Sequence, residues 1–187
     1  MLTAYIDESL RRRPNDWNVY AMAAVLVECA HHEQVRAALE SLRLGKSQRL
    51  HWRDESAKRQ LTIAERLAEL PISGIVTVCL YSRGVRTERA RRRCLERLLP
   101  EVERAGAATA SIESRSPEQD HLDRGLLTGL RATGVVAKSL TVTWQPSVSE
   151  PLLWAADAIV SATTWWLDGR TRCYDVLSER IHMICLE

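Results

Sequence analysis

The stretch LTAYIDES, residues 2–9, decides the fold because it joins a strand pattern to two carboxylates. Leu2–Ile6 is apolar and partly aromatic or β-branched, which predicts a short strand that ends in Asp7 and Glu8. A second apolar run, Val19–Val27, predicts a partner strand, joined to the first by the basic segment 11–16. The sequence therefore predicts an antiparallel pair of strands at the start of the chain.

Strands alternate with helices over the rest of the chain. Further strands are predicted at Ile72–Leu80, Thr109–Ile112 and Ser139–Thr143. Helices are predicted at His32–Leu44, Asp54–Leu70, Val85–Arg104 and Pro117–Ala132, in a long apolar segment from Ser149 to Asp168, and in a short segment at Tyr174–Ile181. We expect an α/β fold in which a mixed sheet of about five strands, the first pair antiparallel and the remainder largely parallel, is flanked by helices.

Length and composition favour a single globular domain, residues 1–187. A hydrophobic share of 45% and a charged share of 27% exclude a fibrous or disordered chain. A net charge of +2 means that any affinity for nucleic acid depends on a local basic patch. The five cysteines lack close pairs, which favours free thiols. The sequence has no signal-peptide pattern and no long apolar run, so we expect a cytoplasmic protein without a membrane partner.

Carboxylates from three distant segments are the candidate catalytic residues. Asp7 and Glu113 each follow a predicted strand, and parallel neighbouring strands would place both at one edge of the sheet. Asp157 is the only charged residue between Glu150 and Asp168 on an apolar helix, so it needs a metal, a cationic partner or a proton. Mg²⁺ and Mn²⁺ prefer carboxylate oxygens and also bind phosphate. The set predicts a divalent-metal site that hydrolyses phosphodiester bonds.

Each carboxylate alone also has a simpler interpretation. Asp7 is typical of a turn or a solvated pair, Glu113 of a charged loop, and Asp157 of an ion pair with a buried arginine. Only the combination favours a metal site. Glu8 should point away from Asp7 in regular strand geometry, which makes it at most an outer metal ligand.

Three short segments together resemble a known family. They are YIDES at residues 5–9, IESR at residues 112–115 and LWAAD at residues 153–157. In order and spacing they are similar to the domain-of-unknown-function 3800 family of bacteria and archaea, which is grouped with ribonuclease H-like proteins. The resemblance covers nearly the whole chain and implies a ribonuclease H-like sheet in which the first strand lies beside the fourth. It also implies that Asp7, Glu113 and Asp157 belong to a metal site.

The chain departs from the pattern of that family at two positions. Leu10 stands where glycine is usual, and Trp154 replaces the glutamine of a Gln-x-x-Asp pattern, which would remove a hydrogen bond near the site. The family also tends to have a polar or histidine-containing segment before its second long helix, which Leu50-His51-Trp52 resembles. His51 is therefore a candidate contact for the substrate phosphate, although a lone histidine in a polar loop is more often solvated.

Arginines supply the candidate contacts to nucleic acid. Arg115 either binds phosphate or balances the acidic residues. Arg86, Arg89 and Arg93 fall along one face of a predicted helix that would follow a phosphate backbone, and an ordinary solvated helix is equally consistent with the pattern.

These observations leave three hypotheses from different classes. The first is a metal-dependent nuclease that uses Mg²⁺ or Mn²⁺ and acts on RNA or DNA. The alternative is a catalytically degraded ribonuclease H-like module that binds nucleic acid or has a regulatory role. The third is a homodimer formed through Trp165 and Trp166, which equally well fill a core.

Overall fold

The structure, a computed structural model, describes residues 1–14 and 17–186. Its strands are β1 (Leu2–Arg11), β2 (Trp17–Glu28), β3 (Ile72–Ser82), β4 (Ala107–Glu113), β5 (Thr141–Gln145) and β6 (Ile181–Leu186). They form one sheet in the order β5-β4-β1-β2-β3-β6. Strand β2 is antiparallel to both β1 and β3, and the other three pairings are parallel. The predicted mixed sheet with an antiparallel first pair is therefore confirmed.

Helices cover both faces of this sheet. They are α1 (His32–Ser41), α2 (Ala57–Glu69), α3 (Thr87–Arg104), α4 (Pro117–Ala132), α5 (Leu152–Trp166) and α6 (Arg172–Leu177). Helices α1, α2, α5 and α6 share a hydrophobic core with one face, and α3 and α4 share a second core with the other. Strands β1, β2 and β3 therefore supply side chains to both cores, whereas β4 and β5 contribute only to the second.

Helix α5 is the most deeply buried element that we describe. Every residue from Leu152 to Thr164 is buried, as the continuous apolar pattern predicts. The helix ends just before Gly169, whose φ of 86° lies in the left-handed region that glycine adopts without strain. Among the described residues, no helix is both long and apolar enough to cross a bilayer.

Two parts of the predicted architecture are wrong. The helix predicted at Tyr174–Ile181 ends at Leu177, and residues 181–186 instead form β6, which pairs in parallel with β3. Strand β1 does not end at Asp7 but continues to Arg11, because its antiparallel pairing with β2 extends beyond the end of β4. Of the predicted connection 11–16, Asn15 and Asp16 lie outside the described residues.

Candidate active site

Strands β1 and β4 bring Asp7 and Glu113 side by side. The last parallel pair between these strands joins Ile6 to Ile112, so the next residue of each strand is a carboxylate. Neighbouring strands lie about 4.8 Å apart. Asp7 is 5% exposed and shares the sheet face of Tyr5, which packs in the core with α5. The predicted adjacency of the first and fourth strands is therefore present.

Helix α5 supplies the third carboxylate, Asp157, to the same place. A cavity of about 140 Å³ opens where β1, β4 and α5 meet. It is lined by Asp7, Glu8, Arg49, Leu50, His51, Glu113, Ser147, Leu153, Trp154 and Asp157. The three candidate catalytic carboxylates thus meet in one pocket, and we call this cavity the acidic pocket.

The charge of the acidic pocket is most evident at Asp7. Burial raises the pKa of Asp7 well above its usual range, and the negative charge of Asp157 raises it further. A hydrogen bond with the Glu113 side chain and the charges of Glu113 and Glu8 act in the same direction. Asp7 therefore has three carboxylate neighbours, and a cation near them would be strongly stabilised.

Asp157 is held by the segment that precedes α2. Its Oδ2 accepts a hydrogen bond from the backbone N–H of Trp52 at 2.9 Å and contacts Nδ1 of His51 at 3.0 Å. Its Oδ1 lies 3.3 Å from the hydroxyl of Ser161, one turn along the helix. The hydrogen bond to Asp157 raises the pKa of His51, and partial burial opposes that effect. His51 thus lies in the pocket, and its partner is a carboxylate.

Arg49 is a pocket residue that the sequence did not reveal. Its Nη1 donates to the hydroxyl of Ser147 at 2.9 Å and lies 3.5 Å from Oε1 of Glu113. The guanidinium therefore partly balances the carboxylates. An arginine in a polar loop carries no local signal of such a role, because only the tertiary fold places it here.

Glu8 points to the opposite side of the sheet, as the strand geometry predicts. Its carboxylate pairs with Nη1 of Arg91, a fully buried residue of α3. Arg91 also donates to both carboxylate oxygens of Asp123 on α4, at 3.0 and 2.6 Å. Burial raises the pKa of Glu8, while Arg91 and Arg115 oppose that shift. Glu8 is therefore among the residues that line the acidic pocket, but its carboxylate is anchored on the other face of the sheet by Arg91.

The arginines proposed to bind phosphate lie elsewhere. Arg115 contacts Glu88 at 2.6 Å and Asp123 at 3.4 Å, so in this structure it balances acidic residues. Arg89 and Arg93 line a groove between α3 and α4, on the opposite side of the sheet from α5. Arg86 is exposed just before α3 begins. None of the four lines the acidic pocket among the residues described.

The two departures from the family pattern have visible consequences. Trp154 fills one wall of the acidic pocket, and its indole N–H donates to the carbonyl of Ser147 at 2.7 Å. Leu10 is accommodated within β1, and its carbonyl accepts a hydrogen bond from Arg53 at 3.2 Å. Neither side chain displaces a candidate carboxylate from the pocket.

The aromatic pair near the end of α5 has partners within the chain. Trp165 packs edge-on against Trp52, with ring centres 6.1 Å apart. Trp166 stacks on Tyr174 at 4.8 Å. These contacts explain both tryptophans without a second copy of the chain, so the homodimer hypothesis gains no support.

The donor chemistry of the acidic pocket suits a hard divalent cation. Asp7, Glu113 and Asp157 offer oxygen ligands, and the pKa of Asp7 is raised first by burial and then by its carboxylate neighbours. In residues 1–14 and 17–186, however, no three His, Cys, Asp or Glu side chains are grouped as a ready-made metal site. The oxygens of Asp7 and Asp157 already accept hydrogen bonds. Because the three carboxylates are not grouped as ligands in the described part of the chain, metal binding would need their side chains to move closer together.

The fold is similar to solved structures of ribonucleases H. One chain of the PCNA:RNase HII complex from Archaeoglobus fulgidus is 20% identical, with a TM-score of 0.52 over 96% of this chain and 88% of that one. The ribonuclease H2 from Pyrococcus horikoshii OT3 is 13% identical, with a TM-score of 0.56 over 91% and 77%. A mutant of Bst-RNase HIII is 12% identical, with a TM-score of 0.51 over 94% and 53%.

The similarity at these low identities defines the fold, which is ribonuclease H-like. No family model matches the sequence, and no curated protein matches it either. The resemblance to the domain-of-unknown-function 3800 family therefore stays a prediction.

Proposed function

We propose that this protein is a nuclease that hydrolyses phosphodiester bonds with the help of Mg²⁺ or Mn²⁺. The observation that carries the proposal is the meeting of Asp7, Glu113 and Asp157 in the acidic pocket, although they come from β1, β4 and α5. Asp7 and Asp157 are buried and Glu113 is partly buried, and three carboxylates in one pocket repel one another unless a cation or a proton compensates them. A protein that only needed a stable core would gain from replacing them with apolar residues.

Asp7, Glu113 and Asp157 would hold the cation, with Glu8 as an outer ligand. When bound, the cation would polarise a phosphodiester and make water a stronger nucleophile. The chain itself supplies an apolar part of the pocket wall, which includes Leu153 and Trp154. Arg49 and His51 line the same pocket and would meet the substrate phosphate, because both carry a donor at its rim.

Nucleic acid is the proposed substrate, RNA or DNA. Arg86, Arg89 and Arg93 stay candidates for contacts to more distant phosphates, and Arg89 and Arg93 lie in the groove between α3 and α4, on the other side of the sheet from α5. Such contacts are sensitive to salt, so their loss should flatten the dependence of binding on salt concentration without abolishing cleavage.

The first test is whether Mn²⁺ binds at the acidic pocket. A ligand at about 100 times its Kd stabilises the folded state by about 2.7 kcal/mol, so Mn²⁺ should raise the melting temperature by several degrees. Asp7→Asn and Asp157→Asn should each abolish that rise. Glu69→Gln is the matched control, because this exposed carboxylate has Arg66 as its single ion-pair partner among the described residues. An equal rise in all four proteins would contradict the proposal.

The second test is cleavage of labelled RNA and DNA oligonucleotides with Mn²⁺. The parent protein and Glu69→Gln should cleave, whereas Asp7→Asn, Glu113→Gln and Asp157→Asn should lose at least about 100-fold in rate, as expected when a group needed in the transition state is removed. Circular dichroism would verify that each variant is folded. Undiminished cleavage by the folded Asp7→Asn and Asp157→Asn variants would refute the assignment.

A degraded module that binds nucleic acid is the second candidate function. Arg49 and His51 favour it, because Arg49 already provides a cationic partner for Glu113 and His51 already contacts Asp157 at 3.0 Å. In that case oligonucleotides should bind equally well in EDTA and in Mn²⁺, and no cleavage should follow. Electrophoretic mobility shifts under the two conditions distinguish these functions.

A further inference from the structure

A long groove lies between α3 and α4, on the side of the sheet opposite α5. Its volume is about 1050 Å³, and none of its lining residues belongs to the acidic pocket. Along α4 the lining extends from Leu122 to Thr133, which corresponds to about 16 Å of helix. The groove is therefore a separate surface feature several helical turns long, and we call it the interhelical groove.

The α4 wall of the interhelical groove is apolar and open to solvent. Leu122 is 56% exposed, and Leu126, one turn further along the helix, is partly exposed. A methyl group added at Gly125 or Gly129 would meet no atom of another element within 4 Å, so the described part of the chain leaves this wall uncovered. Contiguous apolar surface of this kind typically marks a contact with another molecule.

The α3 wall carries positive charge that lacks an acidic partner. The three acidic residues of the lining each pair with an arginine: Glu88 with Arg115, Glu96 with Arg92 and Asp123 with Arg91. Arg89 and Arg93 lie one helical turn apart and are exposed, and neither forms an ion pair within residues 1–14 and 17–186. Arg93 instead contacts the thiol of Cys79 at 3.8 Å. The uncompensated charge of the groove is therefore positive.

We propose that the interhelical groove binds an amphipathic helix of another protein, with apolar side chains on one face and acidic side chains along one edge. Such a helix lays its apolar face into a groove through residues three or four positions apart. Here that face would lie against Leu122 and Leu126, and the missing side chains of α4 give the backbone of the partner room to approach. Its acidic edge would meet Arg89 and Arg93, whose spacing of one turn matches carboxylates one turn apart.

A nucleic-acid strand fits the interhelical groove less well. The groove lining contains no aromatic side chain on which a base could stack, and the apolar α4 wall offers a phosphate backbone no donor. A helix uses both walls, whereas a strand would use the α3 wall alone. The proposal does not depend on the nuclease activity, but it competes with phosphate for Arg89 and Arg93.

A library of displayed helical peptides tests the proposal on the full chain. Each peptide has about 15 residues, with leucines that form one face and one residue beside each leucine varied among glutamate, serine and lysine. We expect selection to enrich glutamate, and the best peptide to bind with a Kd of about 1–100 µM by fluorescence anisotropy. Replacing its leucines with serine should weaken binding at least about tenfold. Failure to select a peptide, or selection without preference for glutamate, would overturn the proposal.

A first double variant locates the peptide on the α4 wall. Gly125→Gln/Gly129→Gln fills this wall with polar side chains and should weaken binding at least about tenfold. It should not lower the melting temperature, because glutamine favours a helix more than glycine does. Thr128→Gln, which is exposed on α4 outside the groove lining, is the matched control and should leave the affinity unchanged. An affinity equal to that of the parent in the double variant would place the peptide elsewhere and refute the proposal.

Charge reversal tests the α3 wall. Arg89→Glu/Arg93→Glu should abolish binding of the selected peptide, and the same peptide with lysine in place of glutamate should bind this variant. Arg172→Glu/Arg180→Glu makes the same change at exposed arginines outside the groove lining and should keep the preference for glutamate. Lack of restoration by the lysine peptide in the folded variant would contradict the proposed contacts.

Two competition experiments address the other occupants. A single-stranded oligonucleotide should not displace the selected peptide, and light scattering should show no dimer that the peptide dissociates. Displacement would assign the groove to nucleic acid, and a dissociated dimer would assign it to a second copy of this chain. Either result would overturn the proposal.

Discussion

Asp7→Asn should make the metal-free protein more stable. The carboxylates of Asp7 and Glu113 extend from neighbouring strands about 4.8 Å apart. At an effective dielectric constant of about 20, two unit charges roughly 5 Å apart repel by about 3 kcal/mol. Asp7 relieves part of that repulsion by taking up a proton, since burial and its neighbours raise its pKa. We therefore expect a gain of about 1–2 kcal/mol, which is about 2–8 °C in melting temperature for a chain of this size.

The gain in stability from Asp7→Asn should increase as the pH rises. Because folding raises the pKa of Asp7, the folded state keeps a proton that the unfolded chain releases above about pH 4. The parent protein consequently loses stability as the pH rises from that value towards the folded pKa. Asp7→Asn removes this loss, so its advantage should vanish near pH 4 and should increase as the pH rises towards the folded pKa. Thermal melts in EDTA across this range measure the difference.

Asp123→Asn provides a control with the opposite sign. This substitution is the same chemical change as Asp7→Asn, but it lies on the other side of the sheet. The carboxylate of Asp123 pairs with the buried Arg91 at 2.6 Å. Removing that charge leaves a buried guanidinium short of a partner and should cost about 2–3 kcal/mol. Lower stability of Asp7→Asn at every pH would show that Asp7 has favourable partners and would refute the reasoning.

Two further substitutions test the packing around the site. Arg91→Leu should lower the free energy of unfolding by about 3 kcal/mol in urea melts, because Glu8 and Asp123 then lose their shared partner; an unchanged midpoint would show that the carboxylates are compensated elsewhere. Gly74→Ala should change stability by less than about 1 kcal/mol, since an added Cβ would meet Ile159 at an ordinary contact distance of 3.5 Å. A loss of several kcal/mol in the same assay would mean that the sheet and α5 pack more tightly there.

The sequence predicted the candidate site best where a carboxylate stood out from an apolar segment. Asp7 and Glu113 both follow apolar strand segments, and Asp157 interrupts an otherwise apolar helix, so each stands out against its neighbours. The alternation of strands and helices likewise predicted the mixed sheet. These signals are local, and the structure places all three carboxylates in one pocket.

The features that were missed depend on contacts between distant segments. Residues 181–186 form an edge strand because β3 offers a free edge, and six residues carry too weak a pattern to distinguish strand from helix. Arg91 is fully buried although it lies among exposed arginines, because Glu8 and Asp123 approach it from β1 and α4. Arg49 and the N–H of Trp52 reach the pocket for the same reason. The spacing of residues along the sequence does not predict these contacts between distant segments.

Asp7 and Glu8 point to opposite faces of the sheet, so an inserted residue in β1 would exchange their positions. One residue inserted in β1 before Asp7 would move each following side chain to the other face of the sheet. Asp7 would then point towards α3, and Glu8 would point towards α5. The same shift would send Tyr5 and Ile6 into the wrong cores. A chain with this insertion should therefore fold less stably than the parent, because both cores would lose residues that fit them.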